Sequence, residues 1–281
     1  ASSRIRFISE HLDSLCRDLK YLNTDNKPNN ITNKILFNKI INLENIFFNY
    51  PNSKNVILKN INLSIPISKK IGIVGTTGSG KTTLVDLIIG LLEPTQGILS
   101  VDKNIINNSN KRSWQKNIGY VPQNVYLSDR SIAANIAFGI NTEQINQKDV
   151  EQAAISANLH DFIIKELPEK YNTIIGERGV RLSGGQRQRI GVARALYQKP
   201  KILILDEATS ALDNSTEKKI MECINNLEYS TTVIIIAHRL TTVKECDTIF
   251  LLENGEIKAK GTFEELSKTN KIFQSFTNSI N

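Results

Sequence analysis

Residues 75–82 read Gly-Thr-Thr-Gly-Ser-Gly-Lys-Thr, the pattern G-x-x-x-x-G-K-[ST]. The chemistry this suits is the cradling of a polyphosphate. Gly75, Gly78 and Gly80 let the backbone wrap closely around an anion with its N–H groups turned inward. Lys81 brings a positive charge to the β- and γ-phosphates, and Thr82 offers a hydroxyl to Mg²⁺. Thr76, Thr77, Ser79 and Thr83 complete the loop and its exit. A glycine-rich turn can match such a string and hold nothing. Here an apolar run from Lys70 to Val74 precedes the string and a helical pattern follows it, so the anion would meet a helix N-terminus. A second cluster lies far downstream, where the apolar run Ile202–Leu205 ends on Asp206 and Glu207. In a parallel sheet, ligands collect at the carboxyl ends of strands, so both carboxylates should reach the phosphate loop. Asp206 is expected to meet Mg²⁺ through water, and Glu207 to polarise an attacking water. His238 closes the run Val233–Ala237 in the same manner.

These groups need a scaffold that delivers several strand ends to one edge. Two continuous apolar runs, 201–205 and 233–237, have the composition of parallel strands buried on both faces. Upstream, the β-branched runs 39–48 and 56–65 predict an antiparallel layer. The helix after the phosphate loop is expected over 81–92, ended by Pro94 and Gly97. Apolar positions at Val150, Ala154, Ala157, Phe162 and Leu167 predict a helix over 148–167. Another is expected from Gly184 to Gln198, stopping before Pro200. Strands alternating with helices indicate an α/β fold with a mostly parallel core sheet. No internal repeat is visible, so residues 35–281 read as one nucleotide-binding domain.

Bulk properties narrow the class further. A chain of 281 residues with 40% hydrophobic and 22% charged side chains is long and apolar enough for a globular core. A net charge of +7 is compatible with nucleic acid or an anionic membrane face, but the lysines are scattered along the chain, which favours an ordinary solvated surface. Cys16, Cys223 and Cys246 lack metal-ligand spacing and read as reduced thiols of a cytosolic protein. No apolar run reaches the roughly 18–20 residues of a membrane span. The chain starts at Ala1 and its one methionine is Met221, so it reads as the C-terminal piece of something longer. Ile5, Ile8, Leu12, Leu15, Leu19 and Leu22 form a helical stripe, and residues 23–34 read as a linker. That helix either ends a preceding segment or packs on the domain.

Residues 182–187 read Leu-Ser-Gly-Gly-Gln-Arg. With the phosphate loop upstream, this string resembles the signature of the ATP-binding-cassette (ABC) ATPases, over nearly all of residues 40–265. The resemblance implies ATP and Mg²⁺ as ligands, and a helical subdomain over about residues 124–199 inserted in a P-loop core. It implies Glu207 as general base, His238 as a switch residue at the γ-phosphate, and Gln123 with Thr82 and Asp206 around Mg²⁺. Tyr50 stands where the family carries an aromatic that stacks on adenine, although Phe47 and Phe48 are close by. Ser183 would cap the helix starting at Gly184. Ser183, Gly184, Gly185 and Gln186 would then address ATP held by a second copy in a head-to-tail dimer. Ser210–Asp213 matches the family's D-loop. Thr173-Ile-Ile-Gly-Glu-Arg-Gly179 resembles an exporter string that touches membrane-domain loops, with Ile175 in place of Val. Residues 1–34 would then be the cytoplasmic end of the last transmembrane helix plus linker, with the membrane domain in the same full-length chain. The resemblance places the domain on the cytoplasmic side of a membrane and implies no nucleic acid. The substrate class it suggests is lipid-linked, polysaccharide or amphipathic, through similarity to flippases. An importer ATPase subunit, or a soluble ABC ATPase acting on nucleic acid or ribosomes, are the alternatives.

Overall fold

A computed structural model of the chain describes residues 35–53, 55–176, 180, 182–208, 214–225, 231–237 and 239–278. The expectations for residues 1–34, 177–179, 210–213 and His238 lie outside them. An antiparallel sheet, ordered β2-β1-β4-β5, contains β1 (Ile40–Phe48), β2 (Leu58–Pro66), β4 (Gln96–Val101) and β5 (Asn104–Ile105). The second sheet is ordered β10-β9-β3-β8-β7-β6. It contains β3 (Lys70–Val74), β6 (Ile118–Val121), β7 (Ile202–Asp206), β8 (Thr232–Ala237), β9 (Thr248–Glu253) and β10 (Glu256–Gly261). Five of its strands run parallel, and β10 closes the edge antiparallel to β9. The expected α/β fold with an antiparallel layer is present.

The unbroken apolar runs of the central strands feed two cores at once. Side chains alternate across a strand, so Leu203 and Leu205 enter one core while Ile202 and Ile204 enter the other. In β8, Val233, Ile235 and Ala237 are separated from Ile234 and Ile236 in the same way. The first core is filled from the helices Gln147–Ser156 and Gly184–Tyr197, the second from the antiparallel sheet and the helix Lys81–Ile89. Burial on both faces is why no polar residue interrupts these runs.

Three local expectations are corrected. The helix after the phosphate loop ends at Ile89, before Pro94. Gly90 adopts φ 77° there and its N–H returns to the carbonyls of Asp86 and Leu87, a left-handed C-cap. The single helix expected over 148–167 is two, Gln147–Ser156 and His160–Glu166, separated at Asn158 with φ 50°. The apolar stripe survives the break, since Val150, Ala154, Leu159 and Ile163 all reach the same core. The antiparallel layer also recruits β4 and β5 from beyond the phosphate loop. Their turn, Asp102-Lys103, has positive φ at both residues, and the Asp102 carboxylate accepts from the N–H groups of Asn38, Lys39 and Ile40 at the entry to β1. Cys223 and Cys246 are free thiols. Burial pushes Cys246 up to about 12, so it stays protonated.

Two buried polar side chains tie these layers to the site. Trp114 is fully buried, meets Phe37 edge-on at 6.2 Å, and donates from Nε1 to the Ile88 carbonyl at 2.8 Å. It thereby satisfies an orphan carbonyl in the last turn of the phosphate-loop helix. Asn135 is also fully buried. It accepts from Ser128 N–H at 2.9 Å and donates to the carbonyls of Ser128 and Ser131, while its own carbonyl receives Arg194 Nε at 2.9 Å. Arg194 lies on the helix Gly184–Tyr197, so this network fixes the signature helix against its neighbours.

Trp114→Ala is expected to cost about 3–5 kcal/mol of unfolding free energy through lost packing and the cavity left behind. Trp114→Phe keeps most of the volume but strands the Ile88 carbonyl, at a cost of about 1–3 kcal/mol. Urea unfolding followed by circular dichroism checks both. Equal costs for the two variants would show that the Nε1 hydrogen bond, not the volume, dominates.

Candidate nucleotide site

The strand register brings the chemistry to one edge. Val74 lies opposite Ala237, Ile236 opposite Asp206, and Leu205 opposite Val121. The residues leaving these strand ends, Gly75, Glu207 and Pro122-Gln123, therefore emerge side by side. An open depression of about 710 Å³ forms there, lined by Tyr50, Thr77, Gly78, Gly80, Lys81, Thr82, Thr83, Gln123 and Glu207 among others. Its size is that of a small-molecule site.

The phosphate loop is built to leave donors free. Gly78 and Gly80 adopt φ 78° and 101°, which a side chain would resist. Gly75 passes so close to β9 that an added Cβ would lie 2.1 Å from the Leu252 carbonyl oxygen. The helix Lys81–Ile89 starts at Gly80 with no side-chain cap and no acidic residue in its first turn. Its N-terminal N–H groups and positive dipole end are thus open to an anion. Ser79 Oγ is buried without a hydrogen-bond partner among the described residues. Lys81 is 5% exposed, and its ammonium donates to the carbonyls of Gly75 and Thr76 at 3.0 Å each. Burial lowers its pKa, while the charges of Glu207 and Asp206 act in the opposite direction. Orphaned donors around a buried cation fit a polyphosphate.

Carboxylates gather on the other side. Asp206 is buried at the end of β7, where burial raises its pKa and the hydroxyl of Tyr120, donating to Oδ2 at 3.0 Å, partly opposes the rise. Asp86, on the phosphate-loop helix, is raised by burial too. Glu207 follows with φ 49°, a left-handed turn that swings the chain off the strand, and its Oε2 accepts from Gln123 Nε2 at 2.9 Å. Asp206 and Glu207 thus put carboxylates close to the Lys81 ammonium, with Asp86 near Asp206, a donor set of the kind that takes a hard divalent cation. One or two carboxylates beside phosphate oxygens are the usual protein share of a Mg²⁺ site. The residues present therefore fit Mg²⁺ with a nucleotide. Thr82 and Gln123 are exposed and line the depression. Among the three aromatic candidates, Phe48 is in the core, whereas Tyr50 is 40% exposed on the rim, edge-on to Phe48 and bonded through its hydroxyl to Thr83 at 3.1 Å.

The signature lies elsewhere. Ser183, Gly184, Gly185 and Gln186 do not line this depression. Ser183 caps the helix Gly184–Tyr197 through a complete capping box: its Oγ accepts from Gln186 N–H at 3.2 Å, and Gln186 Oε1 accepts from Ser183 N–H at 2.8 Å. Gly184 has open space where a side chain would be, and Gly185 packs against Thr216.

The sequence does not point to Tyr120 or to a half-buried ion pair. Glu217, 7% exposed on the helix Asn214–Asn225, accepts from Arg239 Nη1 at 2.9 Å and from the Thr242 hydroxyl. Arg239 directly follows His238, so the pair ties the segment after β8 to that helix. Glu217 lies three residues past Asn214, where an acidic side chain suits a helix N-terminus, but nothing in the sequence names its partner. Glu217→Ala should lower stability by about 2–3 kcal/mol, less than for a fully buried pair because the Arg239 side chain is 39% exposed. A double-mutant cycle with Arg239→Ala checks it; additive losses would mean the two side chains do not interact.

Comparison with known proteins agrees with this geometry. Residues 58–210 match the family described as ABC transporter. The mouse protein "ATP-binding cassette sub-family B member 5" is 42% identical over 236 residues, covering 84% of this chain and 19% of its own length. The "ATP-dependent lipid A-core flippase" of Alkalilimnicola ehrlichii is 42% identical over 84% of this chain and 40% of its own length. A solved structure, "Structure of a bacterial Atm1-family ABC exporter with ATP bound", superposes with a TM-score of 0.80 at 33% identity, over 88% of this chain and 43% of that one. The chain thus spans less than half the length of each of these relatives. Family match, fold and phosphate-loop edge all agree: this chain belongs to the ABC transporter family.

Proposed function

We propose that the chain is the nucleotide-binding domain of an ABC exporter, hydrolysing ATP to drive export or flipping of a lipid-linked, polysaccharide or amphipathic substrate. The observation that best supports this is the division of the site. The phosphate loop shares one depression with Glu207, next to the buried Asp206 that ends β7, while the signature helix, capped by Ser183, stands outside it with its N-terminus exposed. A second copy, turned head to tail, supplies what each half lacks, giving two ATP sites across a two-fold interface.

In this mechanism the loop N–H groups and Lys81 hold the β- and γ-phosphates, and Tyr50 stacks on the base. Thr82, Asp206 and Gln123 would hold Mg²⁺, which when bound neutralises charge on the phosphates. Glu207 orients a water at the γ-phosphate and accepts its proton, with His238 contacting the same phosphate. The partner's Ser183 hydroxyl, Gly185 N–H and helix dipole face that phosphate from the opposite side. Closing on ATP and loosening after hydrolysis moves the attached membrane domains. The string 173–179 supports a membrane domain in the same full-length chain, on whose cytoplasmic face this domain docks. The lipid A-core flippase by name acts on a lipid, which favours an amphipathic substrate here.

Glu207→Gln should retain ATP binding and lose at least about 100-fold in turnover. In sedimentation with Mg-ATP this variant should become a dimer, and without nucleotide it should remain monomeric. Near-normal hydrolysis would remove Glu207 from the role of base. Ser183→Arg should bind ATP as a monomer yet fail to hydrolyse it, because the new side chain blocks closure. A Ser183→Arg protein hydrolysing at the parent rate would rule out the two-copy site.

A further inference from the structure

Asp206 takes the strand-end position of a cation-holding carboxylate, and its orientation is set from the neighbouring strand. On β6, Tyr120 pairs with Ile204 of β7, so Tyr120 and Asp206 are diagonal neighbours on one face of the sheet. The phenol can only donate to an ionised carboxylate, and it does so at Oδ2 over 3.0 Å. The ring packs against the core between the sheets. A phenylalanine would fill that place equally well, so the hydroxyl is not needed for packing. Placing it in this half-buried setting is unfavourable unless it is bonded.

The surroundings explain what the bond is for. Glu207 and Asp86 repel the Asp206 carboxylate, and Lys81 attracts it. A hydrogen bond to one oxygen restricts rotation of the carboxylate about its last bond. We propose that Tyr120 is a positioning residue for the divalent cation, holding Oδ2 so that the Asp206 carboxylate keeps one orientation toward the phosphate loop. This rests on the Mg-ATP reading above. Groups that hydrogen-bond a metal-binding carboxylate act on metal affinity without touching the metal.

The test uses Mn²⁺ as the probe and Tyr120→Phe in the Glu207→Gln background, where ATP persists. Electron paramagnetic resonance, with protein in excess so that all ATP is bound, measures free Mn²⁺, and ATP binding is measured separately in chelator. Mn²⁺ affinity should fall about 10-fold, while metal-free ATP affinity and the thermal midpoint stay at the parent values. Unchanged Mn²⁺ affinity would overturn the proposal. So would an equal fall in metal-free ATP affinity, which would mark Tyr120 as a general support of the fold. A Glu207→Gln parent that binds no ATP would instead sink the nucleotide reading itself.

Discussion

The parallel register of the central sheet is the constraint on which the site depends. Gly75, Asp206 and Gln123 are far apart in the chain, and backbone hydrogen bonding alone aligns the ends of β3, β8, β7 and β6. A slip of one residue in β7 would flip its side chains between the two cores. Leu203 and Leu205 would then trade places with Ile202 and Ile204, and Asp206 would leave the face it shares with Tyr120. Burial on both faces forbids that slip, so the same apolar residues that stabilise the domain fix the position of its carboxylates.

Much of this was legible because strong local chemistry marked it. The glycines and Lys81 read as a phosphate loop, and the structure supplies the strand before it and the helix after it. Ser183 read as an N-cap, and both hydrogen bonds of the capping box are present. Helix ends were less legible. Pro94 looked like the stop for the helix Lys81–Ile89, but Gly90 reaches a left-handed conformation first and closes it. The break at Asn158 left the apolar spacing intact, so periodicity could not show it. Two hairpins turn on Asp102-Lys103 and on Asn254-Gly255, the latter with φ values of 51° and 79° that suit a primed turn.

Contacts across long stretches of sequence were not legible at all. Tyr120 meets Asp206 because two strands pair, and Glu217 meets Arg239 because a helix lies beside the exit of β8. Neither residue type signals a partner by itself. A tyrosine in an apolar strand reads as packing, and a glutamate near a helix start reads as a favourable charge at the dipole. Such residues are chosen by the fold, and they are recognised only once strand order is known.

Taken alone, one copy of this domain satisfies its charged groups with internal partners. Lys81 leans on loop carbonyls, Gln123 on Glu207, and Asp206 on Tyr120. Each bond holds a group near its place, yet the bonds differ in what they ask of a ligand. Phosphate oxygens replace neutral carbonyls around Lys81 with charged acceptors, which form stronger hydrogen bonds. The Gln123–Glu207 bond joins the residue two places past β6 to the carboxylate that follows β7. A cation that draws on Gln123 therefore changes what Glu207 feels. The signature helix, largely buried beyond its first turn, is anchored to the helix Ile132–Ile136 through Arg194 and Asn135. Gln188, on the signature helix, also donates to the Pro122 carbonyl, one residue before Gln123. A ligand drawing on Gln123 would thus act on a segment already bonded to the signature helix.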